Sequence, residues 1–246
     1  NNPNNFILPN SKIIHKAWQD VMPILKKHYE EKGDFMVADM PFSENCEELE
    51  KIIEGISKGS ERIKKIVENL REYSRENPGS LKEAVYIDKV MESAFFLMND
   101  LIKKSTTRFI YEKEDVLPCV LGNAQQIEQV VINLITNACQ ALRKREESIT
   151  VKALYRIETQ KVEINVQDEG EGIPRENLGK IFDPFFTTKR GKGGSGLGLT
   201  ISHQIVVSHS GEFKINSSPG KGTNVSVLFP VLIPFQDKIG EEILNA

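Results

Sequence analysis

Cysteine is scarce in this chain of 246 residues, where it occurs only at Cys46, Cys119 and Cys139. The number is odd, the positions are widely spaced and no CxxC pair occurs, which argues against disulfides and against a cysteine-ligated metal. No apolar run approaches the roughly 20 residues of a membrane-spanning helix, and no signal peptide opens the sequence. These features predict free thiols and a cytoplasmic location, and they leave open a membrane anchor elsewhere in a longer protein.

A dominant charge is missing as well. The 32 Lys and Arg residues are balanced by 35 Asp and Glu residues, and the formal net charge is −3. This balance offers no electrostatic case for nucleic acid or an anionic membrane as a partner. A chain of this length holds one large domain or two modest ones.

Several familiar nucleotide-binding motifs are also absent. Gly191-Lys192 is followed by Gly193, whereas a Walker A loop needs Ser or Thr at that place. The glycines at 194, 196 and 198 are spaced GxGxG rather than the GxGxxG of dinucleotide-binding domains. The HRD and DFG signatures of protein kinases do not occur. These three patterns are therefore excluded.

The stretch 168–199 carries the first positive signal. Alternation over 162–166 predicts a half-buried strand that delivers Asp168 to its end. The glycine run at 193–198 leads into apolar residues at helical spacing from Leu199, and a helix N-terminus offers free N–H groups and a favourable dipole to a phosphate. Lys189, Arg190 and Lys192 add positive charge suited to a triphosphate. The glycines alone are equally consistent with a surface loop that only connects two elements.

A second signal lies at 126–142, where apolar residues repeat at the helical period. Asn133 and Asn137 are four residues apart and therefore share another face of the predicted helix. An amide oxygen is a suitable ligand for Mg2+, an ion that keeps waters and binds largely through nucleotide phosphates. Taken alone, two asparagines on a helix are more often solvated surface residues.

Together these stretches resemble a known family. The segments NLITNA at 133–138, DEGEGIP at 168–174, FDPFFTTK at 182–189, GGSGLGL at 193–199 and the turn at 220–223 resemble, in order and spacing, the N, G1, F and G2 boxes of the GHKL, or Bergerat-fold, ATPases. The FDPFFTTK and GxGLGL forms are most similar to those of two-component sensor histidine kinases. The resemblance implies a protein histidine kinase that uses ATP and Mg2+. It would transfer the γ-phosphoryl group to a histidine and then to an aspartate of a response-regulator receiver domain.

The resemblance also assigns roles to individual residues. Asn137 is expected to coordinate Mg2+, Asn133 to lie beside the triphosphate in the catalytic centre, and Asp168 to accept the adenine amino group. The other residues expected around the adenine are Gly170, Gly172, Ile173 and Thr223. The residues expected to anchor a mobile lid are Phe182, Phe185 and Phe186, with ordinary core packing as an equal alternative. The lid and the phosphate-binding loop would contain Thr187, Thr188, Lys189, Arg190, Gly194, Ser195, Gly196, Leu197, Gly198 and Leu199.

Residues 1–77 predict a helical hairpin. Apolar residues recur seven apart in both halves, at Ile7, Ile14 and Val21 and again at Leu49, Ile56, Ile63 and Leu70, which is a heptad pattern. Pro9 and Pro23 predict interruptions or kinks in the first helix, residues 33–41 break the pattern, and Ser43 suggests the start of the second helix. Because one hairpin has a narrow seam, we expect a homodimer in which two hairpins form a four-helix bundle. The alternative is a helix pair inside a monomer.

Residues 78–232 predict a catalytic domain after a linker at 77–80, and residues 233–246 predict a short helix or a loose tail. Helices are expected from Asp88, as N-cap, to Lys103, from Asn123, and over 199–209. Strands are expected at 85–87, 107–111, 119–121, 149–155, 161–166, 212–216 and 224–229. Elements mixed in this order predict an α+β protein with a two-layer α/β sandwich, and the resemblance implies its Bergerat ATP-binding form.

The phosphoacceptor histidine is expected just before Asn1. In the family this histidine commonly begins an H-E-x-N-N-P box, and Asn1-Asn2-Pro3 resembles the last three residues of that box. His15 is a weaker internal rival, and the other three histidines fit poorly. On this reading the chain binds nucleotide but does not autophosphorylate. Two alternatives stay open: a nucleotide-binding regulatory module without kinase activity, and a GHKL ATPase, whose usual glutamate base is replaced by Asn133.

Overall fold

The computed structural model describes residues 4–73, 83–189 and 194–232. It divides into two compact units, Asn1–Ser74 and Arg75–Ala246. The predicted linker at 77–80 and the predicted tail at 233–246 lie outside the described residues. Within the described ranges no helix is both long and apolar enough to cross a membrane. The three cysteines are free, as predicted.

The first unit is a helical hairpin of α1 (Asn4–Lys32) and α2 (Phe42–Tyr73). Of the interruptions or kinks predicted at Pro9 and Pro23, interruptions do not occur, since both prolines lie inside α1, and kinks stay a prediction. Each proline removes one main-chain donor, but a long helix draws most of its stability from tertiary packing. Packing of α1 against α2 therefore outweighs the two local losses.

A small β-hairpin joins the two helices. Its strands β1 (Met36–Val37) and β2 (Met40–Pro41) pair antiparallel. The Asp34 carboxylate accepts hydrogen bonds from the Ser43 hydroxyl at 2.6 Å and from the backbone N–H groups of Phe35 and Ser43, and the Ser43 hydroxyl is the main cause that lowers the pKa of Asp34. The rings of Phe35 and Phe42 stack with centroids 4.9 Å apart. These contacts start α2 at Phe42, one residue before the predicted Ser43.

The heptad residues of the hairpin are largely exposed in the single chain. Ile14 on α1 is 55% exposed, and Ile56 and Ile63 on α2 are 51% and 48% exposed. The seam between the helices instead contains small polar groups, since the hydroxyl oxygens of Ser11 and Ser57 lie 3.3 Å apart. One hairpin therefore leaves an apolar face uncovered.

The second unit is a two-layer sandwich, which confirms the predicted fold class. Its five-stranded sheet has the order β4 (Arg108–Lys113), β6 (Ser148–Arg156), β7 (Lys161–Asp168), β9 (Thr223–Pro230) and β8 (Glu212–Ser217). Only the β4–β6 pair of this sheet is parallel. Two further strands, β3 (Glu83–Val85) and β5 (Val120–Gly122), pair with each other.

The helical layer contains α3 (Ile87–Ser105), α4 (Ala124–Ala141) and α6 (Gly198–Ser208), with the short α5 (Arg175–Leu178) in the loop after β7. Helix α4 packs on β7 and on both other long helices, and α6 packs on β8 and β9. The prediction that Asp88 caps α3 was wrong, because the helix already begins at Ile87. Asp88 lies in the first turn and pairs with Lys113 of β4 at 3.0 Å.

Alternate residues of the central strands form rows that face the helices. One row joins Ala153, Ile164 and Val227, and the next joins Val151, Val166 and Val225. The third row joins Ile149, Asp168 and Thr223. Because side chains alternate along a strand, Asp168 occupies a core-facing position that a simple strand would give to an apolar residue. The sheet itself therefore buries this carboxylate.

Candidate nucleotide-binding site

Asp168 lies at the end of β7 and is 6% exposed. One carboxylate oxygen, Oδ1, accepts hydrogen bonds from the backbone N–H of Gly170 at 2.8 Å and of Thr223 at 3.3 Å. Burial raises the pKa of this carboxyl group, and the hydrogen bonds from Gly170 and Thr223 oppose that rise. All the hydrogen bonds described for this carboxylate fall on Oδ1, which leaves Oδ2 as an acceptor for a ligand.

Two chain segments pack closely around this carboxylate. Gly222, with φ +80°, has no room for a side chain, since a Cβ there would lie 1.9 Å from the Asp168 carbonyl oxygen. Gly172, with φ +69°, also has no room for a side chain, since a Cβ there would lie 2.1 Å from the Ser218 carbonyl oxygen. The Ile173 N–H donates to Ser217 Oγ at 2.8 Å, and that hydroxyl also lies 2.9 Å from Thr223 Oγ1. The predicted adenine-binding residues therefore come together in one small region.

Ser217 is a residue of this region that sequence reasoning missed. It connects the loop after β7 to the turn before β9 through its hydroxyl, which donates to the Gly222 carbonyl at 3.0 Å. A serine at a strand end carries no special sequence signal. Its contacts arise from residues 44 positions apart, so only the paired strands could have revealed it.

The two predicted asparagines lie on α4 in different surroundings. Asn133 donates through Nδ2 to the Gly198 carbonyl at 3.3 Å and to Ser202 Oγ at 3.2 Å. Asn137, one turn later, has a buried Nδ2 without a hydrogen-bond partner. Since buried amide groups normally find partners, the unpaired Asn137 Nδ2 indicates a place where an acceptor group of a ligand completes the site.

The segment 182–189 approaches α4 through Lys189. The Lys189 Nζ lies 3.4 Å from the Asn137 carbonyl oxygen and 3.8 Å from Glu171 Oε1. The Lys189 N–H donates to Thr187 Oγ1 at 3.0 Å, and Gly194 N–H donates to the Lys189 carbonyl at 3.1 Å. Lys189 therefore places a cation beside the unpaired Asn137 amide. Thr188 is exposed, and the predicted lid residue Arg190 lies outside the described residues.

The predicted lid phenylalanines have different surroundings. Phe182 packs edge-on against Phe213 of β8, with centroids 5.1 Å apart, and lies against the His203 ring, which is core-type packing. Phe185 is 49% exposed and has φ +66°, and its N–H donates to the Gly196 carbonyl at 3.0 Å. Phe186 is half-buried. Within the described part of the glycine run, from Gly194 onward, Phe185 is thus the phenylalanine of the three that is hydrogen-bonded to it.

The glycine run enters α6 as predicted. Ser195 Oγ accepts a hydrogen bond from the Leu197 N–H at 3.3 Å, and the helix begins at Gly198. The side chain of Leu197 is buried in the core, whereas Leu199 is half-buried. The start of α6 thus lies next to the face of α4 that carries the two asparagines. The backbone N–H groups in the first turn of α6 can bind an anion.

His15 belongs to the first unit. Its Nε2 lies 3.0 Å from the Gln19 side-chain nitrogen, and its Nδ1 is buried without a partner. These contacts do not bear on a phosphoacceptor role. The role of His15 as the alternative phosphoacceptor therefore stays a prediction.

Comparison with known proteins agrees with this geometry. Residues 122–233 match the family model described as Histidine kinase-, DNA gyrase B-, and HSP90-like ATPase. The catalytic domain of the histidine kinase ThkA, solved free of nucleotide, superposes with a TM-score of 0.53 at 28% identity and covers 61% of this chain and 95% of that domain. The second unit is therefore a GHKL ATPase domain.

Relatives that extend beyond this domain narrow the class. The chain is 30% identical over 176 residues to the signal transduction histidine-protein kinase AtoS of Escherichia coli, covering 72% of this chain and 28% of AtoS. It is 32% identical over 191 residues to the alginate biosynthesis sensor protein KinB of Pseudomonas aeruginosa, covering 73% of this chain and 30% of KinB. The chain thus spans less than a third of the length of these relatives. It belongs to the sensor histidine kinases.

Proposed function

We propose that this chain is the cytoplasmic kinase core of a two-component sensor. The second unit binds ATP, and a nitrogen of a histidine imidazole attacks the γ-phosphorus. An N–P bond forms, the bond between that phosphorus and its bridging oxygen breaks, and ADP leaves. The phosphoryl group then passes to an aspartate of a response-regulator receiver domain. Family membership supports the kinase class, and the contacts around Asp168 support ATP as its nucleotide.

Asp168 is the observation that carries the proposal. A carboxylate is costly to bury unless its charge is compensated, and here two backbone N–H groups bind one oxygen only. The other oxygen can accept a hydrogen bond from an exocyclic amino group such as that of adenine. The backbone packs closely around Gly172 and Gly222, so the carboxylate is held in a fixed place for such a donor.

The residues beside the glycine run fit Mg2+ together with the nucleotide phosphates. Asn137 would hold the ion through its amide oxygen, since Mg2+ binds amide and phosphate oxygens, and its unpaired buried Nδ2 could donate to a phosphate oxygen. The ion supplies charge neutralisation of the triphosphate. Lys189 and the N–H groups at the start of α6 add positive potential, so that positioning and electrostatics account for most of the rate enhancement.

The same residues favour phosphoryl transfer to histidine over ATP hydrolysis. Asn133 stands where hydrolytic relatives are expected to have a glutamate base, and an amide cannot deprotonate water. Its nitrogen is moreover engaged with Gly198 and Ser202. A histidine acceptor that is already neutral at its nucleophilic nitrogen needs no such base.

The exposed heptad face of the hairpin supports a homodimer. Ile14, Ile56 and Ile63 are about half exposed in one chain, and a four-helix bundle of two hairpins would cover them. The acceptor histidine would then lie on the first helix of this bundle. Its position just before Asn1 stays a prediction, with His15 as the rival.

The test is labelling with γ-labelled ATP and Mg2+ on this chain and on a version extended upstream by about ten residues. Acid-labile, base-stable label on the extended protein alone supports the kinase and the predicted acceptor together. Label on the shorter protein that disappears with His15→Gln supports the kinase and moves the acceptor to His15. Nucleotide binding without label on either protein favours the regulatory module, and release of free phosphate without label favours the ATPase.

A further inference from the structure

His209 stands apart from the other histidines because it is almost completely buried, with 5% of its surface exposed, and both ring nitrogens have partners. Its Nε2 accepts a hydrogen bond from the Asn123 N–H at 3.0 Å. Its Nδ1 lies 2.7 Å from the Ile205 carbonyl oxygen, to which it donates. An N–H can only donate and a carbonyl can only accept, so the two partners together require a neutral ring with its proton on Nδ1.

These partners belong to the two helices that form the candidate site. Asn123 caps α4 by accepting from the Gln126 N–H through its side chain, and His209 ends α6. A second contact lies at the start of α6, where Asn133 of α4 donates hydrogen bonds to Gly198 and Ser202 of α6. The two helices are thus joined by two polar contacts, one at the start of α4 and one at the start of α6.

A second observation shows that the fold makes room for the imidazole. Gly122 immediately precedes the capping residue, and a Cβ at this position would lie 2.4 Å from His209 Cδ2 and 2.7 Å from His209 Nε2. The ring therefore lies directly on the Gly122 backbone. The edge of the ring faces Phe229 of β9, with centroids 5.8 Å apart.

We propose that His209 is a positioning residue for nucleotide binding, whose neutral imidazole fixes α6 against α4 and thereby sets the distance between the glycine run and Asn137. This role rests on the proposed function. A helix moves largely as a rod, so release of its C-terminal end lets α6 pivot about the Asn133 contact near its start, which changes the direction of the N–H groups in its first turn. The phosphate-binding N–H groups then lose their alignment with the metal ligand.

Protonation would break the contact, because Nε2–H would then face the Asn123 N–H. The groups described around the ring are the backbones of Gly122, Asn123 and Ile205, the Ser208 hydroxyl at 3.3 Å from Nδ1, and the Phe229 ring. None of these described groups carries a charge. Burial lowers the pKa of His209, opposed by the hydrogen bond to Ile205, so the neutral form persists below the pH at which a free histidine titrates.

The test measures the Kd of Mg-ADP by calorimetry and amide hydrogen exchange over residues 120–127 in the full chain. His209→Phe keeps a ring but leaves the Asn123 N–H unpaired, and we expect about a tenfold weaker Kd at pH 7.5 and at least tenfold faster exchange at Asn123. His209→Gln, whose amide oxygen can accept from Asn123, should bind ADP within about threefold of wild type.

Gly122→Ala, which leaves the histidine intact and displaces its ring, should reproduce the His209→Phe result. Met98→Ala creates a cavity on α3, which supplies none of the contacts described for the His209 ring, so this variant controls for lost stability and should leave the Kd unchanged.

Protonation provides the readout that a purely structural role would not change. Because nucleotide phosphates titrate in a similar range, the informative quantity is the ratio of the variant Kd to the wild-type Kd. The His209→Phe ratio should keep its pH 7.5 value through the range in which a free histidine titrates. It should shrink toward one only at a lower pH, because the burial that lowers the pKa of His209 delays the protonation that breaks the contact. A ratio that stays constant at the lower pH as well, or wild-type affinity in both His209→Phe and Gly122→Ala, overturns the proposal. A wild-type protein that binds no ADP at all instead overturns the proposed function.

Discussion

Asp168 combines two properties that rarely occur together in one residue: a position in a core-facing row of the sheet and a free acceptor oxygen. The row is fixed by pairing with Ile149 on one side and Thr223 on the other. One oxygen is occupied by two N–H groups, which orients the other. Under the proposed function, the site therefore presents an acceptor for the adenine amino group at a defined place before any nucleotide binds.

Asp168→Asn tests this recognition. The amide oxygen can still accept from Gly170 and Thr223, but the amide nitrogen now presents a donor to the adenine amino group. Losing a hydrogen bond to a charged group costs about 1.5–3 kcal/mol, so the Kd of ADP should rise roughly tenfold to a hundredfold. The melting temperature of the free protein should stay the same or rise, since a desolvated charge is removed.

Guanine offers an internal check on that variant, because it carries a carbonyl where adenine carries the amino group. The preference for ADP over GDP should therefore narrow in Asp168→Asn. The exposed Glu158→Gln, a carboxylate-to-amide change in the turn between β6 and β7, should alter neither affinity. Equal ADP binding by Asp168→Asn and wild type would place the adenine elsewhere.

Two glycines in the turn before β9 allow the stability cost of a left-handed backbone conformation to be measured separately from the cost of overpacking. Gly220 has φ +75° but no atom within reach of an added Cβ, whereas Gly222 has φ +80° and a Cβ only 1.9 Å from the Asp168 carbonyl. Gly220→Ala should cost about 1–2 kcal/mol of unfolding free energy through its left-handed conformation. Gly222→Ala should cost roughly 1–3 kcal/mol more through overpacking, and it should also weaken ADP binding. Chemical denaturation of both variants measures the difference, and equal costs would contradict the packing argument.

At this scale the sequence predicts residues whose surroundings are local. Alternation along β7 predicted that Asp168 ends a half-buried strand, and helical spacing predicted that Asn133 and Asn137 lie on one side of α4. The sequence did not predict Ser217 or the contact of His209 with Asn123, because both depend on residues tens of positions away. In the sequence, His209 looked like an ordinary helix residue. The partner of its Nε2 is a backbone N–H 86 positions away. Because almost every residue has such a group, no residue type indicates this contact.

Among the elements, the hairpin and the sandwich differ in how completely each buries its own apolar residues. Helix α4 places Ile127, Val130 and Val131 entirely inside the second unit. Helices α1 and α2 leave Ile14, Ile56 and Ile63 about half exposed. Exposed apolar series of this kind mark interaction surfaces. The hairpin is therefore the element that needs a partner.

Ile56→Glu tests that partner directly. A charge at a heptad position in the centre of a bundle is unpaired and desolvated, so the protein should change from dimer to monomer at micromolar concentration. Sedimentation equilibrium measures the shift. Lys51→Glu, an exposed change on the same helix, should leave the dimer intact, and a wild-type protein that is monomeric at every concentration would refute the bundle.

The elements themselves were largely predictable, and the exceptions share a cause. The hairpin of β6 and β7 and the helix after the glycine run agree with the structure within about two residues. The prolines of α1 and the start of α3 were misjudged because local rules were applied where tertiary contacts decide, as when α2 supports α1. The pairing of β7 with β9, across more than fifty residues, is likewise a property of the assembled sheet.

Over the whole molecule, two separate cores imply two separate stabilities. The chain divides at Ser74 and Arg75, and on the proposed dimer the hairpin depends on association whereas the sandwich depends on its own sheet. A ligand that binds only folded protein stabilises it by RT ln(1 + [L]/Kd), about 2.7 kcal/mol at a hundredfold excess over Kd. Mg-ADP should therefore act on the sandwich alone, whereas protein concentration should act on the hairpin alone.

Scanning calorimetry of the full chain should accordingly resolve two transitions. At ADP a hundredfold above its Kd, the sandwich transition should rise by about 5–10 °C, given roughly 2–4 °C per kcal/mol for a domain near 150 residues. The hairpin transition should stay fixed with ADP, rise with protein concentration, and fall in Ile56→Glu. A single transition that moves with both ligand and concentration would mean that the two units unfold together, and nucleotide binding would then be coupled to dimerisation by stability alone.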